Sequence, residues 1–289
     1  MSARTAEVRR ARPLLGTLVE ITAAGSTDTD VAKAVEAAFA CVSRVHRLMS
    51  FHRRDSDIGR LNRLALHQPV RVHYWTWRVL ATAHRLSVAT RGVFDITSAG
   101  LLVRWGYLPK FNMLPIDLNA TWNDVLLLPD HRIRFNRSLL IDLGGIAKGF
   151  AVDRAIEALR AGGATSALVN AGGDLRAYGA VARVIHLRNP ECPGALLNAG
   201  TLTRGALATS AHYFSARKWR RTSVTPLVDL ARRRASTSTA SVTVTAPTCM
   251  LADALTKIAM LRGPGMVRRL GGHAMFLPGP PANASAAKR

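Results

Sequence analysis

Acidic residues are scarce in this sequence, with 18 Asp and Glu against 40 Lys and Arg in 289 residues and a net charge of +22. Aromatic residues are also scarce, at 6% of the chain, and show no pattern of platforms on which nucleic acid bases would stack. The basic residues are spread along the chain singly and in short runs. The charge therefore predicts an anionic ligand and disfavours nucleic acid as the partner.

The sequence also has few cysteines and no long apolar run. The cysteines, Cys41, Cys192 and Cys249, are three in number and lie far apart, without a CxxC pair, zinc spacing or a disulfide framework. No apolar run reaches the roughly 18 residues of a membrane-spanning helix. The basic start, up to Pro13, lacks the apolar region and cleavage site of a secretory signal. We therefore expect no membrane span and a cytoplasmic location.

With 48% hydrophobic residues, the chain can bury a large core. Alternating or apolar runs predict strands at 15–23, 167–170, 175–180 and 241–245, with further short strands within 123–141. Helical spacing predicts helices at 31–49, 75–90, 147–161 and 249–260. Because no regular strand–helix–strand alternation spans the chain, we predict an α+β fold with mainly antiparallel sheets packed with helices.

The predicted domain organisation has three parts: a loose basic arm over 1–12, a single domain over 13–277 and a disordered tail over 278–289. Within the domain, residues 215–240 are polar, basic and rich in Ser and Thr. This composition predicts an exposed excursion.

The segment 141–149, IDLGGIAKG, joins a predicted strand to the helix over 147–161. Its paired glycines allow backbone conformations with positive φ and let a ligand approach the main chain. The helix start offers unpaired N–H groups, and Lys148 adds a cation, so the segment is suited to phosphate oxygens. A tight turn with a buried Asp142 as a cap explains the segment equally well.

Two further segments carry chemistry. Residues 169–174, VNAGGD, end a predicted strand in a Gly-Gly turn followed by a carboxylate, and both Gly-Gly turns can border one cleft. Residues 252–257, ADALTK, place Asp253 near the start of the last predicted helix. Asp253 is either a helix cap or a hard oxygen ligand for Mg²⁺.

Taken together and in order, the segments of residues 13–262 resemble the FAD:protein FMN transferase family (ApbE). The resemblance is carried by LGTLVEI, MSFHRRDSDIGRLN, GVFDIT, IDLGGIAKGFAVDRAIEAL, ALVNAGGDLRAYG, ATSAHYF and SVTVTAPTCMLADALTK. It implies an enzyme that binds FAD with Mg²⁺, transfers FMN to a Thr or Ser hydroxyl of a target protein and releases AMP. That target protein is the expected macromolecular partner.

The resemblance also implies site residues. Metal ligands are expected at Asp253 and at the main-chain oxygen of Gly145. A further metal contact is expected at the position of Lys257, where many members carry Thr or Ala. Here a main-chain oxygen of Lys257 could serve, and Thr256 is its neighbour. The expected cofactor-binding residues are Phe51, Val93, Phe94, Asp95, Asp142, Lys148, Gly172, Gly173 and Asp174.

The chain departs from the family pattern before its last predicted strand. Many members have a His-x-x-Asp-Pro-x-x-Gly stretch there, whose His is thought to activate the acceptor hydroxyl. Here Asp229 is retained, but Pro226 stands at the place of the His and cannot accept a proton. We predict Asp229 and, as a substitute base, His212 as catalytic candidates. Two alternatives stay open: an FAD-binding protein with lost or weak transferase activity, and an FAD-cleaving hydrolase.

Overall fold

The computed structural model describes residues 6–111, 115–192, 194–211 and 215–279. The chain forms two compact units, each built from separate stretches of sequence. The unit with the larger sheet, called the sheet unit below, comprises Met1–His46, Lys148–Tyr213 and Thr239–Arg289. The second unit comprises Arg47–Ala147 and Phe214–Ser238.

Seven of the described strands form one antiparallel sheet in the sheet unit, in the order β1-β2-β6-β7-β10-β15-β16. Their bounds are β1 Ala6–Leu14, β2 Thr17–Gly25, β6 Ser166–Ala171, β7 Asp174–Tyr178, β10 Gly205–Ala211, β15 Ser241–Ala246 and β16 His273–Leu277. A separate antiparallel pair consists of β8 Arg183–Arg188 and β9 Leu196–Leu202.

The helices associated with this sheet are α1 Asp28–Met49, α5 Ala147–Ala161, α6 Cys249–Arg262 and α7 Pro264–Arg269. The last three residues of α1 and the first residue of α5 belong to the second unit. Small residues let them approach closely. A Cβ atom on Gly162 would lie 2.5 Å from the Cβ of Ala34 in α1. A Cβ atom on Gly149 would lie 2.2 Å from the carbonyl oxygen of Cys249. The chain therefore needs glycine where α5 meets the start of α6.

The two faces of the sheet follow from alternation along its strands. One face carries Leu175 and Leu207, which form an apolar cluster with side chains of β8. The other face carries fully buried side chains that include Val19, Val169 and Val244. This second face packs against α6, which contacts β10 and β15. Polar residues that include Asp174, Arg176 and Ser210 interrupt its apolar surface.

The second unit is mainly helical. Its helices are α2 Asp57–Leu64, α3 Tyr74–Thr90 and α4 Ala99–Arg104, with short 3-10 helices at Ile96–Ser98 and Trp122–Asp124. Its strands are β3 Val70–Arg71, β4 Val125–Leu128, β5 Arg132–Phe135, β11 Arg217–Trp219, β12 Thr222–Val224, β13 Val228–Asp229 and β14 Arg234–Ala235. Three of them form a sheet in the order β3-β5-β4, and the other four form two hairpins.

The predicted fold class is confirmed, since helices alternate irregularly with antiparallel sheets. The described part of the predicted loose arm, residues 6–12, is paired with β2 as part of β1. The predicted disordered tail lies outside the described residues from residue 280 onward. Among the described helices, none has the length and apolar character needed to cross a membrane.

The exposed excursion predicted for residues 215–240 was wrong. The hairpins β11–β12 and β13–β14 bury Val224, Val228 and Ala235 against Leu102 and Trp105 of the second unit. The segment therefore supplies part of that unit's apolar core, while its arginines remain at the surface.

Candidate active site

A buried cluster of oppositely charged side chains lies on the polar part of the sheet, within the sheet unit. The ammonium group of Lys148 contacts Asp174 Oδ2 and lies 3.8 Å from Asp253 Oδ2. Asp174 is 1% exposed and Asp253 is 0% exposed. Lys148 keeps 31% of its side chain exposed, so this side chain lies between the buried carboxylates and solvent.

Each member of this cluster is held by a different element. Asp174 begins β7 directly after Gly172 and Gly173, whose φ values of +65° and +98° are those that a two-residue type I′ hairpin turn requires. Lys148 is the second residue of α5. Asp253 lies in the second turn of α6 and accepts a hydrogen bond from the backbone N–H of Gly149 at 3.1 Å.

Lys257 provides a second ammonium group, one helical turn after Asp253. Its Nζ donates to Asp253 Oδ1, to the main-chain oxygen of Asp253 at 3.1 Å and to Ser210 Oγ at 3.2 Å. The hydroxyl of Thr256 donates to the same main-chain oxygen at 2.7 Å and lies 2.8 Å from Ser210 Oγ. Asp253 thus has an ammonium group on each carboxylate oxygen.

The charges of the cluster depend on each other. Burial would lower the pKa of Lys148, but the carboxylates of Asp253 and Asp174 outweigh burial and raise it. Burial and the nearby Asp253 raise the pKa of Asp174 to about 6, against the opposing effect of Lys148 and Lys257. Burial would also raise the pKa of Asp253, but Lys148 and then Lys257 lower it. At neutral pH these shifts leave Lys148 as an ammonium group and Asp174 and Asp253 as carboxylates.

Asp153 is a buried carboxylate that sequence reasoning missed. Its oxygens accept the backbone N–H groups of Cys249 and Met250, each at 2.9 Å, and Arg176 Nη1 at 2.6 Å. Asp153 and the hydroxyl of Thr248, which accepts from the N–H of Leu251, together cap α6. The helix-cap role considered for Asp253 is therefore filled by other residues, which leaves the Asp253 carboxylate to the charged cluster.

The residues of the segment IDLGGIAKG that precede Lys148, 141–147, lie in the second unit. The Asp142 carboxylate accepts the N–H of Gly144 at 3.0 Å, as a turn cap does. Burial raises the pKa of Asp142, opposed by the Gly144 hydrogen bond and by His52. Gly145 occupies the turn that precedes α5.

The predicted flavin-contacting residues also lie in the second unit. Phe51 is buried, with its ring centroid 6.1 Å from that of Phe111. Phe94 is buried, and Val93 is half-buried. Asp95 accepts the N–H and the hydroxyl of Thr97, both at 2.8 Å, and caps the 3-10 helix that follows. These contacts give Asp95 a structural role that does not depend on a ligand.

The two predicted catalytic residues differ in what the structure shows. Asp229 is buried and accepts the guanidinium of Arg232 at 2.8 Å and its backbone N–H at 3.3 Å. It therefore stabilises the turn between β13 and β14. His212 lies outside the described residues.

The residues around Asp253 do not fit a magnesium ion in the arrangement described. In the described part of the chain, no group of three or more His, Cys, Asp or Glu side chains is arranged so that it could hold a metal ion. Thr256 and Lys257, both predicted as ligands, instead donate to oxygens of Asp253. A protonated lysine side chain has no lone pair to give a metal, so the main-chain oxygen is what Lys257 could still offer one.

Ser210 and Asp153 could be found only in part from sequence. Ser210 lies in the ATSAHYF segment of the family resemblance, but its partner Thr256 is 46 positions away. Asp153 lies one helical turn beyond Gly149, on the predicted helix, and its partners are 96 and 97 positions away. Such long-range pairings leave no periodic signal.

Comparison with known proteins gives the family context. Residues 15–274 match the model of the ApbE family. A protein of Vibrio cholerae named FAD:protein FMN transferase is 31% identical over 147 residues, which cover 48% of this chain and 44% of that protein. A protein of Haemophilus influenzae with the same name is 30% identical over 169 residues, 54% of this chain and 49% of that protein. The chain thus spans about half the length of these curated relatives.

The solved structures extend the similarity to almost the whole fold. The crystal structure of the ApbE protein from Thermotoga maritima superposes with a TM-score of 0.83. It is 26% identical in sequence, and the match covers 94% of both chains. The α+β architecture described above is therefore that of this neighbour.

Proposed function

The chain belongs to the ApbE family, and we propose that it is an FAD:protein FMN transferase. In the proposed reaction, a Thr or Ser hydroxyl oxygen of a target protein attacks the phosphorus of the FMN half of FAD. The new phosphorus–oxygen bond replaces the bond to the bridging oxygen, which leaves with AMP, and the hydroxyl proton is released. The products are a phosphoester-linked flavoprotein and AMP.

The observation that carries this proposal is the position of Lys148 between Asp174 and Asp253. It brings together one residue from each of three segments that carry the family resemblance, IDLGGIAKG, VNAGGD and ADALTK. Two members of this cluster are cations, and a diphosphate brings the negative charge that cations stabilise. A site of this composition is suited to FAD as a substrate.

Lys148 is the residue that we assign to the diphosphate. Its side chain is partly exposed, unlike the carboxylates beside it, and its ammonium group has three donors, so it can donate to a phosphate oxygen without leaving Asp174. It lies in the first turn of α5, at the positive end of the helix dipole, which also favours an anion. Asp174 and Asp253 then serve to hold Lys148 charged and in place.

The flavin contacts come to this proposal from the family resemblance. Phe51, Val93 and Phe94 have the apolar side chains that a large flat ring system needs, and Asp95 and Asp142 have polar groups that can anchor one. All five belong to the second unit. Their contact with flavin stays a prediction, to be tested by single substitutions with FAD fluorescence as the readout.

Magnesium was part of the prediction from resemblance, and a bound Mg²⁺ would supply positive charge to the diphosphate. Because the described residues around Asp253 do not fit that ion, the proposed transfer assigns it no step. The cytoplasmic location also stays a prediction, which cell fractionation would test.

The proposal is tested by incubating the full chain with FAD, a magnesium salt and a Thr-bearing acceptor protein, with the same acceptor carrying Ala at the target position as the control. A fluorescent acceptor band that resists SDS, together with AMP in solution, is the expected result. The Ala acceptor is expected to give neither. AMP and FMN formed equally with both acceptors would instead identify an FAD hydrolase.

A second candidate function is flavin binding without transfer. Pro226 favours it, because it stands where the family pattern places a proton-accepting His. Asp229 favours it as well, since its carboxylate is engaged by Arg232 in a turn. Tight binding of FAD without release of AMP, under conditions where a relative flavinylates the acceptor, would support this function over the first.

A further inference from the structure

The ammonium group of Lys257 is surrounded by oxygen atoms of the kind that bind hard cations. Its partners are a carboxylate oxygen and the main-chain oxygen of Asp253 and the hydroxyl of Ser210. An ammonium group has three N–H donors, and three acceptors are provided here. Carboxylate, carbonyl and hydroxyl oxygens are also the ligands that Mg²⁺ and Ca²⁺ take in proteins.

The charge balance of the cluster favours the ammonium group over a divalent ion. Lys148 and Lys257 contribute two positive charges, and Asp174 and Asp253 contribute two negative charges. Asp253 is fully buried, and the Lys257 side chain is 16% exposed. A divalent ion added to this neutral group would leave two uncompensated positive charges where water screens them little.

The position of Lys257 on its helix keeps its ammonium group next to Asp253. Lys257 follows Asp253 by four residues, so the two side chains lie on the same face of α6, and the carboxylate precedes the amine in the favourable order. A tethered ammonium group does not dissociate, and its local concentration does not depend on the metal content of the solution.

We propose that Lys257 takes the place of a divalent cation at Asp253, so that this site binds no divalent metal and recognises the FAD diphosphate without one. The second half of this statement rests on the proposed function, and the first half does not. Lys257 is a positioning residue here: it fixes Asp253, which in turn holds the partly exposed Lys148 towards the ligand.

The first half is tested with Mn²⁺ as the probe, because free Mn²⁺ gives an electron paramagnetic resonance signal that decreases when the ion binds. The full chain is expected to leave the signal unchanged. Lys257→Ala removes the ammonium group and opens its space, so it is expected to bind Mn²⁺ at least about tenfold more tightly than the unaltered chain. Lys257→Met removes the charge but fills the space, and is expected to bind Mn²⁺ more weakly than Lys257→Ala.

Loss of the Mn²⁺ signal with the unaltered chain, reversed by Asp253→Asn, would overturn the inference without any need for the Lys257 variants. Failure of both folded Lys257 variants to gain Mn²⁺ binding would also overturn it, because the ammonium group would then not be what excludes the ion. Circular dichroism of each variant establishes that it is folded.

The second half is tested by titrating FAD in the presence of EDTA or of a magnesium salt. The unaltered chain is expected to have the same affinity for FAD in both, whereas Lys257→Ala is expected to bind FAD more tightly with magnesium. Binding to the unaltered chain only when magnesium is present would overturn the inference and leave the proposed function intact. No FAD binding under either condition would contradict the proposed function, while the Mn²⁺ measurement would still decide the metal question.

Discussion

The backbone N–H of Gly149 donates a hydrogen bond to Asp253 Oδ2 at 3.1 Å, between residues 104 positions apart in the sequence. This contact fixes the start of α5 against α6 and orients the carboxylate that both lysines share. It also places residue 149 too close to α6 for a side chain, because a Cβ atom there would lie 2.2 Å from the carbonyl oxygen of Cys249. The glycine of the AKG sequence is thus required by packing.

Gly149→Ala is expected to lower the free energy of unfolding by about 1 to 3 kcal/mol, the usual cost of overpacking. Denaturant titration measures this change. Gly265→Ala is the matched control, since Gly265 lies in α7 and a methyl group added to it would meet no atom within 4 Å apart from its chain neighbours and the backbone of its own helix. The control is expected to be neutral or slightly stabilising. Equal effects of the two substitutions would contradict this account of Gly149.

Asp153→Ala is expected to lower the free energy of unfolding by about 2 to 3 kcal/mol, because it leaves Arg176 and two N–H groups of α6 without their acceptor. Glu36→Ala, which removes an exposed ion pair with Arg12, is expected to cost less than about 1 kcal/mol. Denaturant titration of both variants makes the comparison. A cost at position 153 no larger than at position 36 would show that Asp153 does not cap α6.

The pH dependence of stability should contain a contribution from Asp174. Its pKa is raised to about 6 in the folded chain, whereas an unfolded Asp has a pKa of about 3.9. The folded state therefore binds this proton more tightly, so the contribution of Asp174 to stability falls as pH rises from about 4 to about 6 and is constant above.

Asp174→Asn removes that contribution. Relative to this variant, the unaltered chain is expected to lose about 2 to 3 kcal/mol of unfolding free energy between about pH 4 and pH 7. Denaturant titrations of both proteins at several pH values give this difference, and Asp28→Asn, in an exposed first turn of α1, controls for the loss of a carboxylate. A difference that does not change with pH, or that increases, would contradict the assigned pKa.

Lys148→Met is expected to reduce the rate of AMP release from FAD by roughly a hundredfold or more, because it removes the cation assigned to the diphosphate. Lys33→Met, at an exposed position of α1, is expected to leave the rate unchanged. AMP is measured by chromatography, and circular dichroism establishes that each variant is folded. A rate within about twofold of the unaltered chain would exclude Lys148 from phosphate recognition.

Much of the fold could be predicted from local patterns. The helix predicted over 147–161 has these bounds in the structure, because its apolar spacing and its Gly-Gly stop are both local signals. Thr27 and Asp30, at the start of α1, also have the three-residue spacing of a capping box, and the N–H of Asp30 donates to Thr27 Oγ1. The hairpins β11–β12 and β13–β14 could not be predicted, since strands of two or three residues are too short to show a period.

The candidate site was predicted only as separate segments. Lys148, Asp174 and Asp253 were each selected from their motifs, and the structure brings them together. The sequence offered Lys257 as a metal ligand, while the structure shows its ammonium group on Asp253 and Ser210. The pairing with Asp253 is local, at four residues on one helix, but the pairing with Ser210 is 47 positions away, and a single sequence does not contain it.

The most direct test of the proposed transferase is the stoichiometry of its two products. The full chain is incubated with FAD and a Thr-bearing acceptor, and AMP in solution and flavin bound to the acceptor are measured at successive times. The account predicts that the two increase together in equal amounts and that neither forms when the acceptor Thr is replaced by Ala. Bound FAD with no AMP and no flavinylated acceptor would contradict it.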